Sequence, residues 1–175
     1  MFILITGGTK NGKSAIAEDI VVSYGLPLYY VATMEPYGAD ALEAIERHRK
    51  MRKGKGFRTL EKYTDISEIS FTGECAVLIE CIGNLCANEM FTTHCGKVSE
   101  KIYANIVEIA GKVRLLVAVT SQTGGDGILY EKETMEYISE LGILNKKLSD
   151  IADCVIEVVC GIPVVLKGEK PECLL

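Results

Sequence analysis

The sequence has no surplus of positive charge: 19 Lys and Arg stand against 24 Asp and Glu, a net charge of −5. It therefore offers no general electrostatic attraction to a nucleic-acid backbone. No apolar run is long enough to cross a bilayer. The amino end lacks the basic start of a secretory signal, so a cytoplasmic location is expected. No two of the seven cysteines are spaced C-x-x-C, and the odd number argues against a closed disulfide framework. Cys75, Cys81, Cys154 and Cys160 lie in or at the ends of apolar runs, where a free thiol serves as a small hydrophobe. Cys86 with His94 and Cys95 comes nearest to a metal cluster, but its spacing matches no zinc pattern. Internal repeats, low-complexity segments and a second-domain linker are all lacking, so residues 1–175 read as a single domain. A chain of 175 residues with a 48% apolar share is enough for one sizeable core.

What the chain does have begins at residue 2. Phe2-Ile3-Leu4-Ile5 is a short apolar run of the kind that forms a buried strand. It runs into Gly7-Gly8-Thr9-Lys10-Asn11-Gly12-Lys13-Ser14, which is G-x-x-x-x-G-K-S, a phosphate-binding loop. Gly7 and Gly12 permit backbone angles and close approaches that a Cβ would block. Successive backbone N–H groups then converge on phosphate oxygens, and the following helix adds the positive end of its dipole. Lys13 is expected to reach the β- and γ-phosphates, and the Ser14 hydroxyl to ligate Mg²⁺.

Beyond the loop, helix is expected from Ala15 to about Tyr24, stopped by Gly25 and Pro27. Leu28 to Val31 reads as a second buried strand, ending at Ala32-Thr33-Met34. In a parallel α/β sheet the site lies beyond the carboxyl ends of the strands, which brings Thr33 near the phosphate loop. Ala39 to about Arg52 reads as a helix on the spacing of Leu42, Ile45 and Met51. Its last turns carry Arg47, His48, Arg49, Lys50 and Arg52. Composition alone leaves two readings. One is a solvated basic face at a helix C-terminus. The other is a polyphosphate-facing patch with a nucleophilic or acid–base histidine at its centre. The position of this helix, just after a strand that ends at the site, favours the second.

Phe57 to Glu61 reads as a short edge strand, and Asp65 to Ile69 as a helical turn or two. Cys75 to Glu80 is a buried strand ending in a carboxylate, where phosphate-loop proteins hold Mg²⁺. Gly83 to Met90 reads as loop or short helix. Val98 to Gly111 is an amphipathic helix, Arg114 to Val119 a fourth long strand, and Lys132 to about Asp153 a long helix. The glycine-rich loop from Thr120 to Gly127 should border the site. Cys154–Val159 and Ile162–Lys167 are joined by two residues, so an antiparallel hairpin is expected at the sheet edge. The tail after Lys167 is expected to be loose. These segments make about seven strands and five helices. The fold class is a doubly wound α/β, P-loop (RecA-like) domain, with a mostly parallel sheet, an antiparallel end and helices on both faces.

Several segments resemble, in order, the bifunctional adenosylcobinamide kinase / adenosylcobinamide-phosphate guanylyltransferase family of cobalamin biosynthesis. They are the double-glycine phosphate loop, Tyr30-Val31-Ala32-Thr33-Met34-Glu35-Pro36, Ile45-Glu46-Arg47-His48-Arg49 with Arg52, and Phe57-Arg58-Thr59-Leu60-Glu61. Leu144-Asn145, Ala152-Asp153, Gly161-Ile162-Pro163 and Leu166-Lys167 extend the match almost to the end of the chain. The resemblance implies two reactions: phosphorylation of adenosylcobinamide by ATP or GTP, and transfer of GMP from GTP to the product through a phosphoramidate on His48. It implies nucleotide contacts at Gly7 to Ser14, Ala32 to Met34, Arg49, Lys50, Met51, Arg52, Glu61 and Glu80, and a homotrimer. The sequence departs from the family at Glu80 to Asn88, where Glu replaces Asp and Trp is missing, and at Ser121 to Tyr130, where an Asn-Glu pair and a Pro are gone. The residues themselves leave open a phosphate-loop kinase or guanylyltransferase acting on another small molecule, and a GTP-binding regulatory module.

Overall fold

The structure is a computed structural model, and it describes residues 1–174. The elements run β1 (Phe2–Gly7), α1 (Lys13–Ser23), β2 (Leu28–Ala32), α2 (Gly38–Arg52), β3 (Phe57–Glu61), β4 (Ala76–Glu80), α3 (Ile82–Phe91), α4 (Val98–Lys112), β5 (Leu115–Val119), α5 (Lys132–Ile151), β6 (Cys154–Val159) and β7 (Ile162–Lys167). Short 3-10 turns occupy Ile66–Glu68 and Glu172–Leu174.

The seven strands form one sheet in the order β3-β2-β4-β5-β1-β6-β7. All neighbours are parallel except β6 and β7, the expected edge hairpin. Strands β1, β4 and β5 are buried along their whole length, which explains why they read as unbroken apolar runs rather than alternating ones. Ile82, Ile102, Ile106, Leu141, Leu144 and Leu148 bring α3, α4 and α5 onto one face. Ala17, Ile20 and Val21 bring α1 onto the other, against Ile3, Ile5, Leu78 and Val117. Each fully buried Ile or Leu contributes on the order of 1.5–3 kcal/mol of transfer free energy.

Two expectations, the loose tail and the role of Cys160, need correction. Of the two readings for residues 83–90, loop or short helix, the structure takes the helix: α3 has ten residues and buries Ile82, Gly83, Leu85, Cys86 and Glu89. A glycine, a thiol and an acid among those five blur the helical period. The tail is not loose as far as residue 174. Pro171 is buried, and Leu174 packs against the apolar cluster under α1. The apolar residues of α2 do not enter the core: Leu42 is exposed, and only Arg52 of that helix is buried. Cys160 is exposed at the hairpin turn rather than acting as a small hydrophobe, whereas Cys75 and Cys154 are buried.

Candidate functional site

The carboxyl ends of β1, β2, β4 and β5 lie side by side, and the candidate residues gather there. Gly7 ends β1 with φ +138, and a Cβ on it would lie 2.5 Å from the Val158 carbonyl oxygen. Only glycine lets the chain turn out of the sheet here. Gly8, Thr9, Lys10 and Asn11 form the turn, with Thr9 and Lys10 exposed. Asn11 Nδ2 donates to the Val158 carbonyl at 3.4 Å. Gly12, left-handed at φ 88, caps α1, so Lys13 and Ser14 fall on its first turn. The Lys13 ammonium donates to the carbonyls of Gly7 at 3.0 Å and Gly8 at 2.6 Å. Burial lowers its pKa, partly offset by the neighbouring Cys81 and Glu80. The positive end of α1 and a cation thus face one loop.

Glu80 is the hub. Its carboxylate is 8% exposed at the end of β4. Oε1 accepts from the Ser14 hydroxyl. Oε2 accepts from the Tyr30 hydroxyl at 2.8 Å and lies 3.6 Å from His48 Nδ1. The phosphate loop, β2 and α2 therefore meet at a single acid. Burial and the Glu80 charge hold the Tyr30 hydroxyl far above the ordinary phenol range, so it remains a donor. The Arg52 guanidinium carbon sits 3.5 Å over the centre of the Tyr30 ring. Ser14 and Glu80 put two hard oxygens at one point beside the loop, a donor set that fits Mg²⁺.

A cavity of about 140 Å³ opens between α2 and the sheet edge, lined by Ala32, Met34, Leu42, Ile45, His48, Arg49, Arg52, Glu61 and Glu80 among others. That is similar to the roughly 150 Å³ that admits one flat aromatic ring. The apolar stripe of α2 lines this cavity, which accounts for its exposure. Arg49 pairs with Glu61 at 3.0 Å across the rim. Thr33 is buried below the cavity, and its hydroxyl donates to the Cys81 carbonyl at 2.8 Å. Two residues are not brought in. Lys50 is 75% exposed, with Glu46 at 4.0 Å, and neither it nor Met51 lines the cavity. At 100° per residue, positions 48, 49 and 52 share a helix face that 50 does not. The loop after β5 borders the site as expected, with the Gln122 backbone N–H donating to the Gly7 carbonyl at 3.4 Å.

Reading the sequence missed Tyr30, Asn84, Asn88 and Glu18. Tyr30 had a signal: a tyrosine inside a buried strand must find a partner for its hydroxyl. Asn84 and Asn88 lie one turn apart on α3. Asn84 lines the cavity, and Asn88 Nδ2 donates to the carbonyls of Thr33 at 2.8 Å and Tyr63 at 2.9 Å. Glu18 is an acid on the inward face of α1, between Ala17 and Val21.

A seven-stranded α/β sheet with a phosphate loop at the end of an inner strand, β1, defines the P-loop NTPase fold. Solved structures agree. The flagellar accessory protein FlaH from Methanocaldococcus jannaschii aligns over 96% of this chain and 78% of its own, at 16% identity and a TM-score of 0.57. A prototypical ATPase from the type III secretion system of pathogenic bacteria aligns over 99% and 60%, at 8% identity and a TM-score of 0.55. A family model described as cobinamide kinase / cobinamide phosphate guanyltransferase matches residues 3–166, and the chain belongs to that family of enzymes. The bifunctional adenosylcobalamin biosynthesis protein CobP of Pseudomonas aeruginosa is 26% identical over 95% of this chain and 97% of its own length. The bifunctional adenosylcobalamin biosynthesis protein CobU of Escherichia coli K12 is 28% identical over 95% and 100%. Among the described residues no helix is long and apolar enough to cross a membrane.

Proposed function

We propose that this chain phosphorylates the aminopropanol hydroxyl of adenosylcobinamide and then transfers GMP from GTP to that phosphate through a guanylyl group on His48. One observation carries the reading: His48 Nδ1 lies 3.6 Å from the same Glu80 carboxylate that accepts the hydroxyl of Ser14 in the phosphate loop. A histidine and a triphosphate cradle share one carboxylate.

In the kinase step the backbone amides of residues 7–14 and the Lys13 ammonium hold the triphosphate, and the acceptor oxygen displaces the nucleoside diphosphate from the γ-phosphorus. Ser14 and Glu80 would hold Mg²⁺, which shields phosphate charge when bound. In the second reaction the proton of neutral His48 stays on Nδ1, facing Glu80, and leaves the Nε2 lone pair free. Nε2 attacks the α-phosphorus of GTP, and the bond to pyrophosphate breaks. The ring, now cationic, is paired with Glu80. A phosphate oxygen of adenosylcobinamide phosphate then attacks the same phosphorus, the P–N bond breaks, and neutral His48 returns. Arg49 and Arg52 line the cavity around the transferring group and offset its charge. A cytoplasmic homotrimer belongs to the same reading, and the seven free thiols fit a reducing compartment.

The test is incubation with α-³²P-GTP and magnesium, wild type beside His48→Ala, followed by denaturing electrophoresis. Acid-labile label on wild type alone is expected. Equal label on both proteins, or GTP binding with no label on either, would sink the reading.

A further inference from the structure

Helix α2 carries the histidine, yet it buries almost nothing. Arg52 is its one buried residue, and Leu42 is 54% exposed. Its position therefore depends on a few polar contacts. The Arg49–Glu61 pair is exposed on both sides, and such pairs are weak. Three contacts are at least partly shielded from water: His48 beside Glu80, Arg52 over the Tyr30 ring, and a pair just past the helix end whose acid is 0% and whose lysine is 31% exposed.

That pair joins Lys55 to Glu18. Glu18 is 0% exposed on α1, one turn beyond Ser14. Its Oε2 accepts from the Lys55 ammonium at 2.8 Å, and its buried Oε1 has no hydrogen-bond partner among the described residues. Arg52 Nη1 is buried and, among the described residues, unpartnered as well. Lys55 belongs to the turn that closes α2, and its amide donates to the Arg52 carbonyl at 3.1 Å. Gly54 and Gly56, at φ +82 and +84, flank it and allow the turn that brings the ammonium to α1. A lone apolar side chain would fill the Glu18 position at lower desolvation cost, so the fold does not require an acid there.

We propose that Glu18 and Lys55 are positioning residues: they clamp the end of α2 to the phosphate-loop helix and so hold His48, Arg49 and Arg52 at the triphosphate. The proposal rests on the reading of His48 as guanylyl acceptor. Lys55 touches no reacting atom and acts through the turn it closes.

The experiment measures single-turnover labelling of His48 by α-³²P-GTP in wild type, Lys55→Met, Lys55→Arg and Glu18→Gln. Affinity for a fluorescent GTP analogue and the thermal midpoint are followed in parallel. Lys55→Met keeps the side-chain stem and loses the charge. Its labelling rate should fall roughly ten- to hundredfold, as expected for a displaced catalytic group. Nucleotide affinity should hold, and Lys55→Arg should recover most of the rate. Glu18→Gln should reproduce the loss, which covers the case in which Lys55→Met does not fold. Folded Lys55→Met labelling at the wild-type rate overturns the clamp. So does a loss of nucleotide affinity that matches the loss of rate, since the pair then serves only the fold of the phosphate loop. Unlabelled wild type is a different result: it overturns the reading of His48, and the clamp with it.

Discussion

Tyr30→Phe separates two jobs that one side chain performs. The ring supports Arg52 from below, with the guanidinium 3.5 Å from its centre. The hydroxyl donates to Glu80 Oε2 at 2.8 Å. Phenylalanine keeps the ring and deletes the bond. Tyr30 is 3% exposed and Glu80 8%, so water does not readily replace the lost donor. A hydrogen bond to a charged group contributes about 1.5–3 kcal/mol, and that is the expected loss of stability. For a chain of this length it corresponds to a thermal midpoint lower by about 3–12 °C. The carboxylate keeps Ser14 as a partner but loses the bond that fixes its other oxygen beside His48. Labelling of His48 should slow by roughly tenfold or more. Tyr30→Leu removes the support for Arg52 as well and should be worse on both counts. Differential scanning calorimetry and single-turnover labelling read the two effects. A Tyr30→Phe protein with wild-type stability and labelling rate would refute the assignment of Glu80 as the shared hub.

Lys101→Met leaves buried Glu89 with only neutral donors, from the Asp65 amide at 2.8 Å and the Thr93 hydroxyl at 3.0 Å, and should cost about 2–3 kcal/mol in urea unfolding. Burial alone would lower the Lys101 pKa, but hydrogen bonds to Asp65 and Glu89 outweigh it and hold the group above the usual lysine range. A raised lysine contributes fully below its unfolded pKa, so the gap between wild type and mutant should stay constant up to about pH 10 and shrink above it. Gly7→Ala forces a Cβ to 2.5 Å from a backbone carbonyl at φ +138. It should cost at least about 2 kcal/mol and abolish the GTP-dependent rise in thermal midpoint. In thiol titration of the native protein, exposed Cys160 and Cys173 should react first, and replacing both with Ser should remove the fast phase. Cys86, its pKa pushed up to about 12 by burial, should stay silent until the chain is unfolded.

The strands and the phosphate loop were legible because burial on both faces writes itself as an uninterrupted apolar run. Ala76-Val77-Leu78-Ile79 and Leu115-Leu116-Val117-Ala118-Val119 admit little else. The hairpin was legible because two residues leave no room for a crossover. Helix α3 was legible only as an alternative to loop, because an acid satisfied by Lys101, a thiol and a glycine are among the five residues it buries. Polar residues in a core are visible only with their partners, and those partners are distant in sequence. Glu18 needs Lys55, Tyr30 needs Glu80, and Asn88 needs the carbonyls of Thr33 and Tyr63. The helical period of α2 was legible, but its meaning was not, since residues that line a cavity repeat with the same spacing as residues that fill a core. His48 and Glu80 could be picked out singly, but their meeting at one carboxylate depends on the sheet order.

The sheet order also sets a timetable. Strand β1 emerges before the other six, but its two neighbours are β5 and β6, and Gly7 pairs with Val158. While a ribosome extends the chain, the phosphate loop has nothing on either side of it until residues 115–119 and then 154–159 have emerged. The loop cannot be held in its nucleotide-ready shape before those late strands exist. A nascent chain that stops short of them therefore gains nothing from cellular GTP, and stabilisation by nucleotide is reserved for a chain whose sheet has closed around the loop.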